Sequence, residues 1–215
     1  MNLPLILNEF HRIKRTYKEI LLCQGFSIFM VGMFSFILND FLKLNPQIGT
    51  VVYWFIQIFS LILVSHSLFK NDYSQGFILN VLNSQTSLVS FLVSRWIVFT
   101  AFLVVSIAAV MPLFLYLLYI PLDNWKYFFF LLFPFSGIIN GYGGLLCLFI
   151  ENRRGYLLPF LLFPLISPLF ILAIEGSTSQ HFFTVFIIEV ALVFLVLPFI
   201  IGLANHVLNY LNENY

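Results

Sequence analysis

Six long apolar runs separated by polar breaks leave this chain one kind of environment to fold in. A helix crossing roughly 30 Å of hydrocarbon needs about 20 predominantly apolar residues. Residues 20–38, 48–68, 95–120, 125–150, 156–174 and 182–203 meet that requirement. Hydrophobic residues make up 61% of the 215-residue chain and charged residues 9%, more apolar surface than a water-soluble core of this size buries. The predicted fold class is an all-α membrane protein with six transmembrane helices. Residues 1–215 form a single polytopic domain from which no soluble domain can be cut. A net charge of +1 provides no basic field for nucleic acid.

Orientation follows from the cations. With the amino terminus in the cytoplasm, Arg12, Lys14, Arg15, Lys18, Lys70, Arg95, Arg153 and Arg154 lie inside and only Lys43 and Lys126 outside, as the positive-inside tendency requires. Both termini are then cytoplasmic, together with the break at 151–155 and the long polar stretch at 69–94. Leu21 and Leu22 precede Cys23 without a small residue, and the apolar run follows the cysteine, so no cleaved signal is expected. Cys23 and Cys147 lie in apolar surroundings with no CxxC spacing and read as small packing residues.

Two segments outside the spans are amphipathic. In residues 1–19 and just beyond, Ile6, Phe10, Ile13, Tyr17 and Ile20 recur at helical spacing, with Glu9, Arg12, Lys14, Arg15 and Lys18 on the other face. That pattern predicts a helix lying along the membrane surface, and Pro4 suits its first turn. Within 69–94, Gly76 permits a chain reversal, after which Phe77, Ile78, Val81 and Leu82 share one helical face and Asn80, Asn83 and Ser84 the other. A short helix with an apolar face at the cytoplasmic surface either lies on lipid or seats in a groove of another protein.

Catalytic signatures are missing. There is no GxxxxGK[ST] phosphate loop, no HExxH and no serine-centred nucleophile elbow, so the chain is expected to be non-catalytic, with any nucleotide chemistry in a partner. The four histidines, His11, His66, His181 and His206, are scattered. His66 and His206 fall near the cytoplasmic ends of the second and sixth spans, a candidate haem-contact pair. Glu189 lies about two turns into the sixth span, where a carboxylate is costly unless paired, protonated, facing a polar cavity or snorkelling to the interface. Glu175 sits at a span end and is expected to be wet. Pro159, Pro164 and Pro168 each remove a backbone donor from the fifth span, predicting a kinked or partly broken helix that serves as a moving part, a cavity wall or a static packing kink. Gly137, Gly141, Gly143 and Gly144 in the fourth span allow close helix approach.

A surface helix, two spans, a polar stretch carrying Phe69, Asp72 and Gly76 before a short amphipathic helix, and then four spans resemble the permease subunits of exporter-type ABC systems. With Arg95 and Trp96 opening the third span and the proline-rich run from Leu162 to Ile171, the chain resembles more narrowly the CcmB family, the haem exporter permeases of cytochrome c maturation. The family's polar stretch is more acidic: Asp72 and Gly76 are retained here, while Asn71, Gln75 and Leu79 stand where acids are expected. The resemblance implies that Asp72, Gly76, Phe77, Ile78, Val81 and Leu82 form a coupling helix docking a separate CcmA-like ATPase. It also implies a second permease copy, a CcmC-like haem-handling membrane protein and a CcmE-like haem chaperone as partners. ATP would act through the ATPase and haem would be the cargo, with no cofactor bound directly by this chain. The bacterial inner membrane is the implied location, and a mitochondrial inner membrane fits the same composition.

Two other readings use the same residues differently. A general exporter permease for a lipid-like or polysaccharide substrate would share the coupling helix and line a cavity with polar groups such as Glu189 and Asn140, with Pro159, Pro164 and Pro168 in its gating helix. A haem-binding membrane anchor would use His66 and His206 as axial ligands.

Overall fold

The computed structural model describes residues 17–65, 88–150, 158–177 and 181–213. Their secondary structure is helical, in seven α-helices: α1 (Tyr17–Ile37), α2 (Asn39–Leu44), α3 (Pro46–Ser65), α4 (Leu88–Leu117), α5 (Trp125–Ile150), α6 (Leu158–Gly176) and α7 (Phe182–Glu213). A 3₁₀ turn, Leu122–Asn124, links α4 to α5. Three described helices are long and apolar enough to cross a membrane, Tyr17–Ile37, Pro46–Ser65 and Ser90–Leu117, and Ile166–Gly176 and Phe182–Leu195 are shorter apolar stretches.

The helices are apolar nearly all round, so packing is decided by shape. α5 touches α3, α4, α6 and α7, and α3 touches α1, α2, α5 and α6, which makes α3 and α5 the central pair. α1 lies at the edge, with Leu22, Phe29 and Phe36 exposed, as suits a surface solvated by acyl chains. At one end of the α3–α5 seam, Trp54 stacks on Phe128 with ring centroids 5.8 Å apart and meets Phe135 at 4.8 Å, while Tyr53 meets Phe128 edge-on at 5.0 Å. The Trp54 indole N–H donates to Ser177 Oγ at 2.7 Å, tying α3 to the end of α6. Toward the other end α3 and α5 approach through Gly143, where an added Cβ would stand 2.5 Å from Ser65 Cβ. Of the fourth-run glycines, Gly143 thus permits close helix approach, and Gly137 admits the Trp96 ring.

α4 ends in a strained turn. Ile120 N–H donates to Leu115 O at 2.9 Å and Tyr119 N–H to Tyr116 O at 3.2 Å, the bond pair of a Schellman cap. That cap needs a left-handed residue, usually glycine, and here Tyr119 supplies it at φ 56°, at about 1–2 kcal/mol for an L side chain. Three contacts hold it there. The Tyr119 hydroxyl donates to Asn39 Oδ1 at 2.9 Å, Lys43 Nζ sits 5.6 Å from its ring centroid, and Gly49 leaves room for the Leu118 carbonyl.

Several expectations change. α4 begins at Leu88, so residues 88–94 belong to a helix and not to the polar connector. The break after the first span contains α2. α6 runs unbroken from Leu158 to Gly176, correcting the partly broken helix. Pro159 falls in the first turn, where no donor is needed, and Pro164 and Pro168, four apart, each withdraw only one bond from the ladder. Nor are prolines confined to that helix, since Pro112, Pro134 and Pro198 lie inside α4, α5 and α7. Arg95 is 2% exposed, enclosed by neighbouring helices. Glu175 is exposed at the end of α6, as expected.

A polar layer inside the bundle as candidate functional site

The side-chain packing sets the register of the helices. At Gly176 of α6, an added Cβ would lie 2.9 Å from Val185 Cβ on α7 and 3.0 Å from Leu131 Cδ1 on α5, which places these three residues at one level. One helical turn further along α5 and α7 come Phe135 and Glu189. Trp54 of α3 touches Phe135, so Gln57, a turn beyond Trp54, falls at nearly the same level. On α4, the Trp96 indole N–H donates to Gly137 O at 2.9 Å, and Thr100 Cγ2 lies 3.9 Å from a Cβ built on Gly137.

Gln57, Thr100, Asn140 and Glu189 therefore occupy one layer, within about 8 Å of each other along the bundle axis at 1.5 Å per residue. Gly137, in the middle of α5, marks its centre. In the chain's six-run organisation this is halfway along the fourth run, 125–150. All four residues are buried, Gln57, Asn140 and Glu189 completely. Both carboxamide atoms of Gln57 and of Asn140, the Thr100 hydroxyl and both Glu189 oxygens have no hydrogen-bond partner among the described residues.

Outside the layer, the Tyr53 hydroxyl and the Gln24 carboxamide also lack partners among the described residues, whereas the serines find them. Buried serine hydroxyls of the bundle are satisfied: Ser136 Oγ donates to Phe133 O at 3.1 Å, Ser177 Oγ to Ala173 O at 2.6 Å, and the Ser27 and Ser60 hydroxyls pair with each other between α1 and α3. Cys23 joins them, its thiol donating to Ser60 O at 3.2 Å, and this is packing chemistry as the sequence suggests. An unpartnered buried polar group costs about 1–3 kcal/mol, so a layer of them marks a place where a polar ligand or internal water completes the hydrogen bonding. A carboxyl group and two carboxamides can bind by charge and hydrogen bonding. Among the described residues no group of three or more His, Cys, Asp and Glu side chains is placed to hold a metal ion.

The layer contains two residues singled out from sequence, Glu189 and Asn140. The alternative of Glu189 snorkelling to the interface is corrected, because the side chain is wholly enclosed where α7 packs against α5, α6 and α4. Pro168 is exposed on α6, and Pro159 and Pro164 are carried by the same helix. His206 is carried by α7. His66, Asp72, Gly76, Phe77, Ile78, Val81 and Leu82 lie outside the described residues, as does the amphipathic segment before Tyr17. Sequence reading passed over Gln57, Thr100 and also Gln24, another buried carboxamide without a partner among the described residues. Their only signal is a single polar residue within an apolar run.

Comparison with known proteins gives one match of scale. The family model described as CcmB protein matches residues 1–208, and no curated protein matches the chain by sequence.

Proposed function

Because the chain belongs to the CcmB family, whose members are permease subunits of the ABC haem exporter system of cytochrome c biogenesis, we propose that it transmits the motion of a separate ATPase into the membrane. In this reading the helix of residues 76–84 seats in the ATPase, with Phe77, Ile78, Val81 and Leu82 as its apolar face and Asp72 and Gly76 shaping the approach. A second permease copy, a haem-handling membrane protein and a haem chaperone complete the assembly. The chain crosses a bacterial inner membrane six times with both termini in the cytoplasm. Its work supports haem handling or release of the haem-loaded chaperone, and the ATP chemistry stays with the partner.

One observation carries this reading. α3 and α4 are the helices that lead into and out of the stretch between Ser65 and Leu88, and each supplies a member of the polar layer, Gln57 and Thr100. A displacement at the docking helix is passed along two rigid levers to a set of buried polar groups whose hydrogen bonding is incomplete among the described residues. The contact of Ser65 with Gly143 extends the same push into α5. Interfaces packed this closely move between discrete arrangements instead of deforming continuously.

Replacing Phe77 or Val81 with Asp puts a charge on the docking face. Each change strips the ATPase from the purified membrane complex while leaving membrane insertion intact. Co-purification that survives both substitutions would falsify the docking assignment. The carboxyl of Glu189 and carboxamide of Asn140, without partners among the described residues, favour a second reading, a permease that passes a polar or lipid-like group through this layer. Loss of cytochrome c maturation in Asn140→Leu, with ATPase docking intact, supports it, and normal maturation counts against it.

A further inference from the structure

At the end of the bundle remote from the 66–87 stretch, Ser35, Tyr116, Leu117, Tyr119, Ile120, Pro121 and Leu122 enclose a cavity of about 320 Å³, the lower range of small-ligand pockets. Its wall is built by the strained cap. Ser35 of α1 donates to Leu117 O at 2.7 Å, joining α1 to the last turn of α4, and Tyr119 turns back toward α2. Along the bundle from the cavity, Phe36, Ile37, Leu113 and Tyr116 are exposed, so an occupant entering from the membrane meets apolar surface first and polar groups last. The helix end itself would be satisfied by glycine at position 119. A tyrosine there does something glycine does not: its ring lies under Lys43 Nζ at 5.6 Å and its hydroxyl fixes it to Asn39.

We propose that this cavity binds one phospholipid of the leaflet at that end of the bundle. The headgroup phosphate is taken by the Lys43 ammonium and the Tyr116 hydroxyl, and the upper acyl chain lies along Leu113 and Phe36. Tyr119, which lines the cavity, is a positioning residue that holds Lys43 against its ring. A cation over an aromatic face at a membrane interface is well suited to an amphiphile's anionic group. The attraction is local rather than a surface field, because Asp40, Lys43, Asp123, Lys126 and Glu175 at this end sum to one negative charge. The phosphate, common to all phospholipids, is therefore the recognised group, and phosphatidylethanolamine and phosphatidylglycerol both bind.

The test is native mass spectrometry of the full-length chain in its membrane complex, delipidated and then refilled with phosphatidylethanolamine, phosphatidylglycerol or phosphate-free diacylglycerol. The wild type retains one tightly held phospholipid per chain and no diacylglycerol. Lys43→Gln and Tyr119→Gly each weaken retention about tenfold or more, the loss of one charge-assisted hydrogen bond. Glycine suits the left-handed position, so Tyr119→Gly keeps the helix end while removing the ring. Lys126→Gln, whose ammonium sits 5.2 Å from the Tyr127 ring at the same end, retains the lipid. Unchanged retention in both Lys43→Gln and Tyr119→Gly overturns the site, and equal loss in Lys126→Gln overturns its locality. Displacement of the lipid by inorganic phosphate alone shows a free-anion site and overturns the lipid assignment.

Discussion

Adding a methyl group at Gly143 tests whether the lever from the docking stretch is as tightly packed as described. In Gly143→Ala the new Cβ meets Ser65 Cβ at 2.5 Å, where an ordinary carbon contact is about 3.5–4.0 Å. Both atoms are fixed to helix backbones, so no rotamer change relieves the overlap. α3 and α5 must part by roughly 1 Å, at about 1–3 kcal/mol for overpacking of this kind. For a chain of this length that is a fall of roughly 2–4 °C in unfolding midpoint per kcal/mol. Ser65→Gly supplies the missing space and carries only the cost of a glycine near a helix end, about 0.5–1 kcal/mol. The double variant moves one Cβ from α3 to α5 and has a midpoint close to that of Ser65→Gly alone. Circular dichroism melts of the four purified proteins in one detergent measure the cycle. A Gly143→Ala midpoint equal to wild type, or additive losses in the double variant, refutes the close contact and with it the path into α5.

The polar layer makes its own predictions. Glu189→Leu removes two buried acceptors without partners among the described residues and raises the melting midpoint, by about 1–3 kcal/mol of stability, while lowering cytochrome c maturation; a lower midpoint shows that Glu189 is satisfied and structural. Trp96→Phe deletes the bond to the Gly137 carbonyl and costs about 1 kcal/mol, read by the same melt, and a neutral result places that bond outside the stabilising set. In the purified chain, His66→Ala and His206→Ala leave the visible spectrum unchanged, and a Soret band lost in either variant restores the axial-ligand reading.

What the sequence displays best is what composition controls. The apolar runs place α1, α3, α5 and α6 to within about three residues because helix length in a membrane is fixed by bilayer thickness, whereas α7 starts with its run at Phe182 but continues past residue 203 to Glu213. The start of α4 was hidden because the charge of Arg95 reads as a span boundary and cuts the apolar residues 88–94 from the run that follows, although a helix continues through them once Arg95 is enclosed by the bundle. Glu189 announced itself, since a carboxylate in a span is costly wherever it points. Gln57 and Thr100 did not, because a lone amide or hydroxyl in an apolar run is equally compatible with packing, and only the register of α3, α4, α5 and α7 brings them to one level. Tyr119 was unreadable for a related reason: the left-handed cap is a preference for glycine, and its use of a tyrosine depends on Asn39 and Lys43, 80 and 76 residues earlier.

The account rests on the proposal that residues 76–84 form the surface that meets the ATPase. A photo-crosslinking side chain placed at Val81, activated in membranes from cells producing the whole assembly, tests this directly. The account predicts a single covalent adduct to the ATPase subunit, absent when the crosslinker is placed instead at the exposed α7 position Ile187. Crosslinking of Val81 to lipid alone, with the ATPase captured from neither position, contradicts it.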